Sequence, residues 1–133
     1  MPRRDLPLVY ACSGCSSAAQ LANRLALLLD REGEAEMSCI AGVGGGVPGL
    51  VKTARGGRPI LALDGCVMAC VAACLERAGV VAQRHVLLSE YGIRKLKHCD
   101  PDADDVQRLY ETLALPAARA LRPADPGAPA HAV

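Results

Sequence analysis

Short runs of apolar residues recur along the chain and predict the strands of a buried sheet. A strand of a parallel sheet is covered on both faces, so its sequence is continuously apolar rather than alternating. Residues 59–63 form the clearest run of this kind. The four predicted strands lie at residues 8–11, 35–41, 59–63 and 80–89.

Apolar residues spaced three and four positions apart lie between these runs and predict helices. The longest helix follows the capping residues Ser16 and Ser17 and ends before Gly33. The last helix begins with an acidic first turn at residues 101–105. Two further helices are predicted at residues 47–55 and 66–78, and the apolar face of the longest helix comprises Ala18, Leu21, Ala22, Leu25, Leu28 and Leu29.

The alternation of strands and helices predicts a parallel sheet with helices on both faces. Right-handed crossovers restrict the strand order, and a doubly wound sheet places the first strand between the second and the third. We therefore predict a single three-layer α/β/α domain of Rossmann-like type over residues 1–115, with a four-stranded, mainly parallel sheet in the order 2-1-3-4. From Pro116 onward the periodicity is lost and prolines recur, so residues 116–133 are predicted to form a flexible tail rich in Pro and Ala.

Composition limits the classes of function. At 133 residues, with 51% hydrophobic and 22% charged residues, the chain has the make-up of one folded domain. Its net charge of +1 and its lack of Phe and Trp argue against a nucleic-acid surface. No apolar run approaches the roughly 20 residues of a membrane-spanning helix, and no signal peptide is recognisable, so we expect no membrane partner and a cytoplasmic location.

Seven cysteines are the main chemical signal of the sequence. An odd number of cysteines in a cytoplasmic protein favours reduced thiols over a disulfide framework. Two of them follow the first predicted strand, one ends the second, one follows the third, and the fifth lies one helical turn further along. All five should therefore meet at the carboxyl edge of the sheet, where doubly wound folds bind ligands. These five candidate metal ligands are Cys12, Cys15, Cys39, Cys66 and Cys70.

The spacing of the cysteines favours a zinc ion held by thiolates. Cys12 and Cys15 span a loop tip, and Cys66 and Cys70 are predicted to share one face of a helical turn. Both pairs lie near helix N-termini, whose partial positive charge favours thiolates. A site with four sulfur ligands leaves no position for a catalytic water, so we expect a structural or metal-carrier role.

Two other chemistries remain open for the same cysteines. An iron–sulfur cluster fits four thiols as well as zinc does. The stretch Cys12-Ser13-Gly14-Cys15 follows a strand and heads a helix, as a thioredoxin-like redox pair does. A thiol or iron–sulfur redox enzyme is therefore the alternative function. The sequence identifies no protein partner.

Other polar and sulfur-bearing residues have simpler interpretations. Cys74 is predicted to be a small core side chain, and His85 a hydrogen-bonded histidine within a strand. Asp64 is a turn aspartate or an acceptor behind the metal site, and the glycine-rich residues 42–46 form a turn. The basic residues Arg94, Lys95 and Lys97 and the loop residues His98, Cys99 and Asp100 are expected to be solvated, and His131 lies in the tail.

Three motifs in this chain resemble the DGC-domain family of zinc-binding proteins. They are Cys12-Ser13-Gly14-Cys15-Ser16, the stretch 39–46 with its glycines, and Asp64-Gly65-Cys66 followed by Cys70. The resemblance runs over about residues 8–113 and includes Gly92-Ile93 with the basic residues that follow. It implies that the five candidate cysteines bind zinc, and it implies no settled enzymatic activity.

The chain departs from the pattern of that family at two places. Val67 stands where proline is expected, and residues 71–74 contain no lysine. A basic residue beside the site is therefore expected to be missing, which argues against an anionic substrate.

Overall fold

The computed structural model describes residues 2–123, which form a four-stranded sheet with helices on both faces. The strands pair in the order β2-β1-β3-β4 and every pairing is parallel. This confirms the predicted strand order 2-1-3-4 and the α/β fold class. The strands are β1 (Leu8–Ala11), β2 (Glu36–Met37), β3 (Ile60–Asp64) and β4 (Arg84–Leu87).

Six helices connect and cover the strands within the described residues. They are α1 (Ser17–Arg31), α2 (Ile40–Gly44), α3 (Pro48–Ala54), α4 (Cys70–Arg77), α5 (Ala103–Leu109) and α6 (Leu115–Ala120). A π-helical turn, Tyr110–Ala114, joins the last two. Within residues 2–123, none of these helices has both the length and the apolar character that crossing a membrane requires.

Alternate residues of the strands enter two separate cores, one on each face of the sheet. On the first face, Val9 and Leu61 pack with the apolar side of α1, and on the second, Tyr10 and Ala62 pack with residues of α2, α3 and α4. Because strand side chains alternate between the faces, both faces of β1 and β3 are buried. These buried strands explain the continuous apolar runs in the sequence.

The second strand is shorter than predicted, and this is a correction. The sequence predicts a strand over residues 35–41, but pairing ends with β2 and helix α2 begins at Ile40. Ile40 and Val43 lie three residues apart, so only a helix turns both toward the second core. The glycine-rich stretch predicted as a turn therefore begins inside this helix. A Cβ on Gly44 would lie 2.8 Å from Cys74 Sγ, so the glycine allows α2 to lie close against α4.

The predicted start of the tail is also corrected. Pro116 lies in the first turn of α6, where the missing N–H costs no hydrogen bond, and the π-helical turn precedes it. Ala118 is buried in the first core, which anchors the helix to the domain. The remainder of the predicted tail, residues 124–133 with His131, lies outside the described residues.

Glu34 fixes α6 to the end of α1 through two arginines. Its carboxylate lies 3.1 Å from Arg119 and 2.6 Å from Arg122. The hydrogen bond from Arg119 is the main reason that the pKa of Glu34 is below its ordinary value, and the charge of Arg122 adds to the effect. These two salt bridges link segments that are far apart in the sequence.

We expect Glu34→Gln to lower the midpoint of thermal unfolding at pH 7 by about 3 °C. A lowered carboxyl pKa stabilises the fold above the pKa of the unfolded chain, and this stabilisation is lost as the pH falls through the folded-state value. The difference between variant and wild type should therefore disappear in acid. Thermal unfolding at a series of pH values measures it, with the exposed Glu90→Gln as control. An effect that does not change with pH would contradict this role of Glu34.

Candidate functional site

Four of the five predicted ligands line one cavity of about 330 Å³ at the carboxyl edge of the sheet. The cavity lies beyond the ends of β1 and β3, which are neighbours in the sheet. In a doubly wound sheet this is the position where ligands bind. The sulfur-bearing and charged residues that line it are Cys12, Cys15, Cys66, Cys70, Cys74, Met68 and Lys95.

Cys12 is the residue directly after β1. Its N–H donates to the carbonyl of Leu63, and its Sγ accepts the N–H of Gly65 at 3.2 Å. Burial raises the pKa of Cys12 to about 11, against the Gly65 hydrogen bond, and the negative charge of Asp64 adds to the rise. Cys12 therefore keeps its proton at neutral pH unless a cation replaces it.

The loop that carries Cys15 is tied to the first turn of α1. Ser16 accepts the Ala19 N–H at 3.1 Å and so caps the helix, as predicted. The side chain of Gln20 donates to the carbonyls of Ser13 and Gly14 at 3.3 and 2.8 Å. Cys15 itself is exposed. The loop backbone is fixed while this thiol remains open to solvent.

Cys66 and Cys70 do not share a helical turn, which corrects the predicted helix over residues 66–78. Helix α4 begins only at Cys70, and residues 65–69 form a turn that ends with Ala69 at a φ of 50°. The carboxylate of Asp64 accepts the N–H groups of Val71 and Ala72 at 2.8 and 3.2 Å. These bonds fix the start of the helix after the turn.

Gly65 brings the two cysteine loops together. A Cβ at this position would lie 2.6 Å from the carbonyl carbon of Ala18 and 2.9 Å from the nitrogen of Ala19. Only a residue without a side chain allows the turn after β3 to lie this close to the backbone of α1. The same residue donates its N–H to Cys12, so the middle position of Asp64-Gly65-Cys66 has both a packing and a bonding role.

Lys95 is a site residue that the sequence reasoning assigned to the solvent. Its Nζ lies 3.6 Å from Cys66 Sγ and 3.5 Å from Met68 Sδ. Backbone and side-chain hydrogen bonds between Ser17 and Leu96 hold this segment against the start of α1. The expectation that a basic residue beside the site is missing is therefore wrong, because Lys95, which follows β4, lines the cavity. The only signal in the sequence was its position shortly after Gly92-Ile93.

The other predicted residues lie outside this group or at its border. Cys39 is exposed and lines a neighbouring cavity with Met37 and Ser38, because the chain turns into α2 directly after it. Cys74 lies at the border, between the cavity and Gly44. His98, Cys99 and Asp100 are exposed, in agreement with a solvated loop.

The sulfur atoms share a cavity without forming an assembled metal site. Among residues 2–123, no three side chains of His, Cys, Asp or Glu are grouped closely enough to hold an ion. All seven cysteines, which lie within the described part of the chain, are free thiols. The number and type of donors fit zinc, which prefers four sulfur or nitrogen ligands. Binding would require the side chains to turn toward one another.

Comparisons with known proteins agree with the resemblance of the motifs. A family profile described as the DGC domain matches residues 8–113. The chain is 62% identical over 112 residues to the anaerobic and virulence modulator AnvM of Pseudomonas aeruginosa, which covers 84% of this chain and 86% of the relative. No solved structure matches the chain.

Proposed function

This chain belongs to the DGC domain family, and we propose that it is a cytoplasmic zinc-binding protein with a metal-carrier role. The observation that carries the proposal is the placement of four thiols around one cavity at the carboxyl edge of the sheet. The proposed ligands are Cys12, Cys15, Cys66 and Cys70. Cys39 is left out because it lines a different cavity.

The packing of the domain and the exposure of two thiols support a carrier role over a structural one. The two hydrophobic cores are complete without a metal, since β1 and β3 are buried on both faces. A domain of this size needs no metal to fold. Two of the proposed ligands, Cys15 and Cys70, are exposed. An accepting protein could therefore reach these two thiols first and remove the ion by exchange of ligands.

The surroundings of the thiols offset the charge that a zinc–thiolate site carries. Four thiolates and one Zn²⁺ have a net charge of −2, which is costly in a partly buried cavity. The ammonium group of Lys95 lies beside Cys66, and the Gly65 N–H points to Cys12. One positively polarised group therefore lies beside a cysteine of each loop, the loop after β1 and the loop after β3.

The cytoplasmic location and the partner are parts of the same proposal. Seven free thiols are typical of a reducing compartment. The relative AnvM is named as a modulator, and a protein that gives or withholds a metal ion suits that description better than a purely structural zinc domain. The partner would then be a protein that takes zinc from the exposed thiols.

Elemental analysis of anaerobically purified protein, with a visible spectrum of the same sample, tests the proposal. We expect one zinc per chain and a colourless solution. The chelator PAR should then remove the zinc without unfolding the domain, as a carrier role requires. A brown solution with iron and sulfide, or protein free of metal, would contradict the zinc assignment.

We expect Lys95→Met to weaken zinc binding by about fivefold, because the variant removes a positive charge beside a ligand sulfur and keeps the length of the side chain. Competition with a chromophoric chelator measures the affinity. Lys97→Met is the matched control, since it removes an equal charge from the same exposed segment. Equal effects of the two variants would mean that only the overall charge matters.

A thiol redox function is the second candidate, and the contact between Lys95 and Cys66 favours it. A basic group beside an accessible sulfur is typical of nucleophilic cysteines. Mild oxidation of metal-free protein, followed by mapping of the disulfides, separates this function from zinc transport. A redox pair would form one defined disulfide that thiols reverse, with turnover toward a disulfide substrate. A carrier would lose zinc on oxidation and show no such turnover.

A further inference from the structure

The most deeply buried carboxylate of the site belongs to Asp64, the last residue of β3. Its side chain is 1% exposed. It has three hydrogen-bond partners, which are the N–H groups of Val71 and Ala72 and the Nε2 atom of His85 at 2.7 Å. Burying a charged group is costly unless its oxygens are satisfied, and here both are. Of the sequence interpretations of Asp64, a simple turn aspartate does not explain this burial, whereas an acceptor behind the site is compatible with it.

The bonds of Asp64 hold both ends of the segment that carries two cysteines. Asp64 stands two residues before Cys66, and its oxygens hold the N–H groups directly after Cys70. The residue before the helix, Ala69, has a φ of 50° and offers no side-chain cap. A left-handed alanine is strained and persists only where its surroundings hold it. The carboxylate of Asp64 therefore takes the place of the missing cap and fixes the turn over residues 65–69.

His85 in turn holds the carboxylate. It lies in β4, opposite Ala62 of β3, so its side chain is on the same face of the sheet as Asp64. Its ring contacts the Oδ2 atom of Asp64, the atom that also accepts the N–H of Ala72. The ring is 32% exposed and is not among the residues that line the cysteine cavity. His85 thus acts on the site only through Asp64.

We propose that Asp64 and His85 are a positioning pair that sets the separation of Cys66 and Cys70 for metal binding. This inference rests on the proposed zinc function and assigns to the two residues a role without contact to the ion. Supporting side chains behind metal ligands commonly change metal affinity by about 10- to 100-fold. The hydrogen bonds of the pair join β3, β4 and the start of α4. The turn over residues 65–69 is thereby held in a fixed position relative to the sheet.

The test compares the zinc affinity and the cobalt spectrum of Asp64→Asn, His85→Ala and His85→Gln. We expect about tenfold weaker zinc binding for the first two variants and altered thiolate-to-cobalt absorption bands. His85→Gln keeps an N–H donor near the position of Nε2, so it should recover most of the affinity. Asp102→Asn is the matched control, because Asp102 also caps a helix, α5, but does not line the cavity. Asparagine caps a helix about as well as aspartate, and one oxygen of Asp102 accepts both N–H groups, so stability and zinc affinity should stay close to those of the wild type.

The rates at which Cys66 and Cys70 are alkylated in metal-free protein test the positioning pair independently of zinc binding. If the wild type binds no zinc, the proposed function fails, and the alkylation rates of metal-free protein still report the geometry of the turn. Faster modification of these two cysteines in Asp64→Asn and His85→Ala supports the pair. Rates and affinities equal to those of the wild type, or an equal loss of affinity in Asp102→Asn, would overturn it.

Discussion

Gly65→Ala is expected to lower the free energy of unfolding by about 3 kcal/mol and the midpoint of thermal unfolding by about 10 °C. The added Cβ would lie 2.6 Å from the carbonyl carbon of Ala18 and 2.7 Å from its oxygen. Both atoms belong to helix backbone, which cannot turn aside as a flexible side chain can. Either α1 or the turn after β3 must therefore move.

This movement would also separate the two halves of the cysteine site. The N–H of Gly65 donates to Cys12 Sγ, and a shift of the turn lengthens that bond. Chemical denaturation measures the stability, and chelator competition measures the loss of zinc affinity. Gly49→Ala is the matched control, because a Cβ at Gly49 meets nothing within 4 Å and the residue lies in α3. Gly49→Ala should be neutral or slightly stabilising. A Gly65→Ala protein as stable as wild type would contradict the close approach.

The sequence was sufficient to predict the edge of the sheet at which the cysteines meet. Cys12 directly follows β1 and Cys66 lies two residues after β3, and the carboxyl ends of neighbouring parallel strands lie side by side. The alternation of strands and helices determined that arrangement without any knowledge of contacts. Cys39 also lies two residues after its strand, β2, which explains its prediction at this edge, but it lines a neighbouring cavity. The sequence shows residues 39–43 only as an apolar run, and it does not show that Ile40 and Val43 pack together in the second core as part of a helix.

The charged residues of the site were harder to predict, because they depend on tertiary contacts. Lys95 reaches Cys66 only because Ser17 holds the segment after β4 against α1. The sequence left Asp64 either as a turn residue or as an acceptor behind the site, and its hydrogen bonds to α4 and β4 depend on contacts that the sequence does not show. Local rules predict that the tail starts at Pro116, because they do not show that Ala118 packs in the core. The local sequence pattern therefore predicts the strands and helices, whereas the residues around the thiols are determined by long-range packing.

Cys12→Ser is expected to weaken zinc binding by at least roughly a hundredfold, the largest effect among the single cysteine variants. Cys12 lies between the two loops, with its sulfur bonded to the Gly65 N–H, so it links the ligands on both sides. Cys39→Ser is the matched control, since it makes the same chemical change at a thiol that lines another cavity. It should bind zinc as the wild type does.

The pH dependence of zinc binding distinguishes a ligand role of Cys12 from a structural one. Because the pKa of Cys12 is about 11, zinc must displace a full proton from this thiol at every pH between 6 and 8. This proton alone makes the affinity of the wild type rise about tenfold for each pH unit. In Cys12→Ser the slope of log affinity against pH should fall by about one proton, whereas Cys39→Ser should keep the slope of the wild type. A weakened variant with an unchanged slope would mean that Cys12 supports the fold of the site and is not a ligand.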